Sequence, residues 1–147
     1  MTHTTSSLAT FYIIRHGQTD WNIQKLIQGH TDIPLNIEGE KQAQVLSQKL
    51  GSIKFDKAFS SDLLRAHRTA ELTLLEKNIA IEATNQLRER CFGQIEGKPT
   101  QLIHDLEESY KVMTEIQRKD HKPDPSFESD NEVVTRIITF LRQAAVA

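Results

Sequence analysis

The apolar run Phe11-Tyr12-Ile13-Ile14 passes without a break into Arg15-His16-Gly17-Gln18-Thr19. Four apolar residues after a polar tail, two of them β-branched, predict a short and fully buried strand. In open α/β sheets ligands gather beyond the carboxyl ends of strands, which is where Arg15-His16-Gly17 would then sit. A lone histidine there would more often be a core residue, but its neighbours change that reading. Gly17 allows a sharp turn and a close approach of backbone to ligand. Arg15 carries a planar fork suited to phosphate oxygens. A neutral imidazole beside guanidinium groups is a competent nucleophile toward a phosphoryl group. The charge spread over such a transfer needs fixed cations more than covalent help.

Working outward, Asn36 predicts an N-cap for a helix with Ala43, Leu46 and Leu50 on one face, ended by Gly51. Ala58-Phe59 predicts a second brief strand, and Ser60-Ser61-Asp62 can cap a helix carrying Leu63, Ala66, Ala70 and Leu74 inward. Residues 79–87 alternate weakly as a third strand. A longer helix after Pro99 would carry Leu102, Ile103, Leu106, Tyr110 and Met113 at helical spacing. Lys122-Pro123-Asp124-Pro125 reads as a loop, and Ser129-x-x-Glu132 as a capping box opening a last helix through Val133, Ile137 and Leu141. Strands alternating with helices predict an α/β layered domain with a mainly parallel sheet flanked by helices. Three short strands are few for a sheet covered on both faces. The last helix also runs into Ala144-Ala145-Val146-Ala147 without a stop signal, so one or more C-terminal strands are expected to be missing.

The chain has 147 residues, enough for one domain, residues 1–147, whose single core buries roughly 68–70% of the unfolded surface. Hydrophobic residues make up 37%, and 18 basic residues stand against 20 acidic ones for a net charge of −2. That balance argues against nucleic acid or an anionic membrane as the partner, since both call for a basic excess. The opening Met1-Thr2-His3-Thr4-Thr5-Ser6-Ser7 has neither a basic nor an apolar leader segment. The single cysteine, Cys91, cannot form an internal disulfide. A cytoplasmic domain is the expectation.

Two further segments carry chemistry. Arg65 falls in the first turn of the predicted helix after Ser60-Ser61-Asp62, where helical N–H groups also favour anions. Arg68 reads as part of a solvated face and His67 as structural. In Leu87-Arg88-Glu89-Arg90 a carboxylate lies between arginines. Such a group is most often a surface ion pair, but at a strand end beside a phosphate pocket it could protonate a leaving alkoxide. The six histidines show none of the close spacings of a zinc site.

In order along the chain these segments resemble the histidine phosphatase superfamily, also called the phosphoglycerate mutase-like family. The resemblance rests on Arg15-His16-Gly17-x-Thr19 with Asn22, Gln28-Gly29 with Asp32-x-Pro34-Leu35, and Ser61-Asp62-Leu63-x-Arg65-Ala66. Leu87-Arg88-Glu89 with Phe92-Gly93 and Glu96-Gly97, then Phe127-Glu128-Ser129, complete it. It implies phosphoryl transfer without metal or other cofactor on a small phosphorylated substrate. His16 would be the phosphorylated nucleophile, Arg15 and Arg65 would hold phosphate oxygens, and Glu89 would act as acid and then base. Asn22 would touch the phosphoryl group or substrate, and Thr19, Gln28 and Gly29 would belong to the substrate mouth.

The family pattern also has a second histidine, on a strand after the final helix, and this sequence stops before that point. The resemblance therefore implies either a phosphomonoesterase or, without that histidine, a catalytically impaired module that binds anions or a partner. The mutase branch fits less well, because Phe92 and Thr100 stand where its pattern has tyrosine and lysine.

Overall fold

The computed structural model describes residues 8–146; Met1–Ser7, read above for the absence of a leader, lie outside them. Eight elements follow in order. Helices α1 (Asp20–Ile23) and α2 (Ile37–Leu50) precede β1 (Ala58–Ser61), α3 (Leu64–Leu74) and β2 (Ile81–Thr84). Helices α4 (Gln101–Ser109), α5 (Glu115–Asp120) and α6 (Asp130–Val146) complete the chain. The two strands pair in parallel, Ala58 opposite Ile81 and Ser61 opposite Thr84, with α3 as the crossover between them. Both therefore end level, and the residues after Ser61 and Thr84 leave the sheet at the same end. That end carries the candidate site.

Local signals account for most helix ends. Asn36 Oδ1 accepts from Gly39 N–H at 2.9 Å and caps α2, which stops at Gly51 with a φ of 41°. Ser129 and Glu132 close the reciprocal box of α6 at 3.2 and 2.8 Å. The helix after Pro99 is shorter than expected. It ends at Ser109 in a single 3₁₀ turn, and Thr114 with Gln117 then forms a capping box that starts α5 afresh.

Helix α3 is not capped by Ser60, Ser61 or Asp62. Ser60 Oγ is bonded to His67 Nδ1 at 2.9 Å, Ser61 Oγ accepts from Leu63 N–H at 3.3 Å, and Asp62 holds Arg88 through two bonds. The free N–H of Leu64 instead donates to Asp32 Oδ1 at 2.7 Å, from the loop before α2. A carboxylate distant in sequence thus supplies the cap, and in doing so fixes that loop against the sheet end.

The largest departure is Phe11–Ile14. These residues join no ladder among the described residues, and Phe11 and Ile13 are 45% and 85% exposed. An apolar run becomes a strand only where a neighbour satisfies its amides and covers its side chains. Tyr12 packs edge-on against Phe55, ring centroids 5.3 Å apart, yet is itself 53% exposed. The buried core lies further on, around Ala43, Leu50, Ala58, Leu63, Leu72 and Phe140, with Phe59 and Phe140 edge-to-face at 5.1 Å.

Candidate active site

His16 is part-buried in the irregular segment that precedes α1. Its Nδ1 lies 2.7 Å from the carbonyl oxygen of Gly17. A carbonyl can only accept, so Nδ1 carries the proton and Nε2 keeps its lone pair. Burial lowers the His16 pKa, the Arg65 and Arg15 guanidinium groups lower it further, and only the Gly17 carbonyl opposes them. The imidazole is thus biased toward its neutral form, and among the described residues the Nε2 lone pair has no donor. By NMR, His16 is expected to titrate below the ordinary value of 6.5. The folded state then binds fewer protons than the unfolded one in that interval, so stability falls as pH drops through 6.5 toward the lowered value. A His16 midpoint at or above 6.5 would contradict this electrostatic picture.

The loop is held from two sides. Gly17 N–H donates to Thr69 Oγ1 at 3.0 Å, and that hydroxyl donates to the Arg65 carbonyl at 2.7 Å, tying Gly17 to α3. On the other side α2 packs backbone to backbone: a Cβ on Gly17 would lie 2.9 Å from Gly39 Cα and closer still to its carbonyl oxygen. Gly39, unremarked in the sequence, is what lets α2 approach.

Arg65 is 1% exposed. It donates to the carbonyls of Thr31 at 2.9 Å and Gly29 at 2.7 Å, and to Glu89 Oε2 at 3.1 Å. Of its five N–H groups, these bonds leave the Nε–H and one Nη1–H without a partner among the described residues. The Glu89 side chain is half exposed. Its main chain is fixed: the Glu89 carbonyl lies 2.9 Å from both His30 Nε2 and Arg136 Nη2.

Arg136, on α6, was not singled out in the sequence. It grips Glu128 at 2.8 and 2.9 Å and the carbonyls of Gln86 and Arg88 at 2.8 and 2.6 Å, so one guanidinium clamps the backbone that presents Glu89. Its position was a signal, because Val133, Arg136, Ile137 and Phe140 share one helical face and a charge in that stripe needs partners. Arg136→Ala would strip Glu128 of its guanidinium partner and leave the carbonyls of Gln86 and Arg88 unmatched. It is expected to cost about 2–4 kcal/mol, read from the urea midpoint; a loss within 0.5 kcal/mol of zero, roughly that of a neutral surface change, would contradict the clamp.

Glu96 performs a similar service for the loop after Gln28. Burial alone would raise its pKa, but bonds from the Thr31 hydroxyl and from the N–H groups of His30, Phe92 and Thr31 hold it below the usual carboxylate range. Gly29, with a φ of 52°, leaves the space that this carboxylate fills.

A cavity of about 400 Å³ is lined by Arg15, His16, Gly17, Gln18, Asn22 and Gln42. It unites three of the expected site residues and adds Gln18 and Gln42. Arg65 and Glu89 lie outside that lining, although Arg65 is near enough to depress the His16 pKa. Thr19 and Gln28 are buried, 0% and 5% exposed, and Thr19 Oγ1 lies 3.0 Å from Gln28 Oε1. Thr19 also caps α1, its N–H donating to Asn22 Oδ1 at 2.9 Å. Both therefore stand behind Asn22 rather than facing the cavity. A larger cavity of about 590 Å³, between α3 and residues 78–81, contains none of the expected site residues. Among the described residues no three His, Cys, Asp or Glu side chains converge on a metal position, and no helix is long and apolar enough to cross a membrane.

Residues 11–147 match the model of the histidine phosphatase superfamily, branch 1. The chain belongs to that superfamily. It is 44% identical over 97 residues to the broad-specificity phosphatase YOR283W of Saccharomyces cerevisiae, covering 63% of this chain and 42% of that protein. It is 41% identical over 87 residues to PhoE of Bacillus subtilis, named an uncharacterized phosphatase, covering 59% and 45%. Among solved structures, TTHB049 of Thermus thermophilus superposes with a TM-score of 0.69 at 36% identity, covering 88% of this chain and 69% of that one. The superfamily's α/β fold is thus shared, while the chain spans less than half the length of these curated relatives.

Proposed function

We propose that this histidine phosphatase chain hydrolyses small phosphomonoesters through a phosphohistidine at His16, with no metal or other cofactor. The observation that carries the reading is the Nδ1–H bond to the Gly17 carbonyl, which leaves Nε2 unprotonated. In the first step Nε2 attacks phosphorus, the bond to the leaving oxygen breaks, and Glu89 supplies that oxygen's proton. In the second step the Glu89 carboxylate takes a proton from water. The water oxygen attacks phosphorus, the N–P bond breaks, and phosphate leaves with His16 and protonated Glu89 restored. Arg15, Arg65 and the Asn22 amide stabilise the phosphoryl oxygens throughout. Thr19 and Gln28 position Asn22, and the Gly29 carbonyl positions Arg65.

A second reading is an anion-binding module that turns over poorly, and the uncovered Phe11–Ile14 run beside the site favours it. Turnover of methyl phosphate in excess chelator separates the two. The hydrolytic reading expects turnover that His16→Asn abolishes; phosphate binding without turnover would support the module, and turnover that survives His16→Asn would defeat the phosphohistidine route.

A further inference from the structure

We infer that Gln18 and Gln42 form a donor-rich subsite beside His16, which holds an oxyanion, either a carboxylate or a second phosphoryl group, on the leaving group of the substrate. This rests on the phosphomonoesterase reading and extends it to the substrate's other end. A cavity of about 400 Å³ lies in the range that accepts a whole small metabolite, roughly 300–1,000 Å³, rather than a phosphate alone. Three of its six lining residues, Gln18, Asn22 and Gln42, are side-chain amides.

The orientation of each amide is fixed by a backbone N–H, which can only donate. Gln18 N–H points at Gln42 at 3.0 Å, so the atom there is Gln42 Oε1. Thr19 N–H fixes Asn22 Oδ1 in the same way at 2.9 Å. Gly39 N–H fixes Asn36 Oδ1 at 2.9 Å; the Asn36 NH2 therefore faces Gln18, and the Gln18 atom 3.1 Å away is Oε1. Every carbonyl oxygen of these amides is turned into the frame, and what each leaves over is its NH2. Among the described residues none of the NH2 groups of Gln18, Gln42 and Asn22 meets an acceptor.

The six lining residues thus offer three amide NH2 groups and one guanidinium, against His16 Nε2 and amide oxygens that each already accept a bond within the frame, with no carboxylate among them. A leaving group that carries an ammonium would find its N–H groups unmatched, at the cost of their desolvation. A hydroxyl would have its oxygen met and its proton left to water. A group that only accepts, and accepts with charge, matches every donor.

Isothermal titration of the 147-residue chain with four probes tests this: methyl phosphate, phosphoglycolate, propane-1,3-diol bisphosphate and phosphoethanolamine. Phosphoglycolate or the bisphosphate is expected to bind roughly tenfold tighter than methyl phosphate, and phosphoethanolamine no tighter. Whichever of the first two is favoured identifies the carboxylate or the phosphoryl group as the source of the oxyanion. Gln42→Met, which removes the donor without changing charge, is expected to reduce the ratio to methyl phosphate several-fold. Gln18→Met is the second arm should the first variant not fold. Equal affinity for all esters, or a ratio unchanged in both variants, would overturn the subsite while leaving the His16 reading intact. Failure of the unaltered chain to bind methyl phosphate would overturn the His16 reading and the subsite with it.

Discussion

Arg65→Met should cost the protein both its fold stability and its affinity for phosphate. The side chain is almost fully buried and donates to the carbonyls of Gly29 and Thr31, which belong to the loop that Asp32 fixes against α3. Methionine fills much of the same volume but leaves the Gly29 oxygen unmatched, at about 1–3 kcal/mol, and reduces the Thr31 oxygen to its bond from Ile33 N–H, at about 0.5–1.5 kcal/mol. The pair with Glu89 is half exposed and adds little. A total near 3 kcal/mol, against a urea dependence of about 1–2 kcal/mol per molar, lowers the unfolding midpoint by roughly 1.5–3 M. Losing a fixed cation at the developing charge should also reduce turnover on the order of 10²–10³-fold. The His16 pKa should rise toward its ordinary value, because Arg65 is one of the charges that depress it. A variant with the original midpoint and the original His16 titration would show that Arg65 is neither buried strut nor phosphate ligand.

Glu89→Gln should produce an effect that depends on what leaves. An acid is needed when the departing oxygen is a poor leaving group and is nearly idle when that oxygen leaves readily as an anion. Loss of acid catalysis is expected to slow an alkyl phosphate on the order of 10²–10⁴-fold and an activated aryl phosphate far less. Glutamine keeps an oxygen for the Arg65 N–H, so the loop should survive the change. An equal slowing of both substrates would mean that Glu89 acts by placing Arg65, not by delivering a proton.

How much of this was legible in the sequence follows from the range of the forces involved. Asn36, Gly51 and the Ser129–Glu132 box act within a few residues, and each stands where the sequence put it. The register of β1 against β2 then brings Arg65 and Glu89 to one end of the sheet, as their places after predicted strands implied. What escaped was set across the fold. Asp32 caps α3 because Ser60, Ser61 and Asp62 are each held by other partners. Gln42 reaches the cavity because Gly39, one turn earlier on the same helix face, lets α2 touch the backbone at Gly17 and Gln18. Thr19 matched a signature that suggested contact with substrate, yet its hydroxyl is spent within the α1 cap and on Gln28. Phe11–Ile14 carries the composition of a strand without neighbours to pair with, and composition cannot supply those.

The most direct test of the central claim is covalent. The chain is incubated with a radiolabelled phosphomonoester, quenched in denaturant at high pH and mapped by peptide. The account predicts label on the peptide containing His16, stable to base and lost in acid as a phosphoramidate should be, and absent from His16→Asn. Label that persists in His16→Asn, or turnover with no label trapped under any quench, would contradict it.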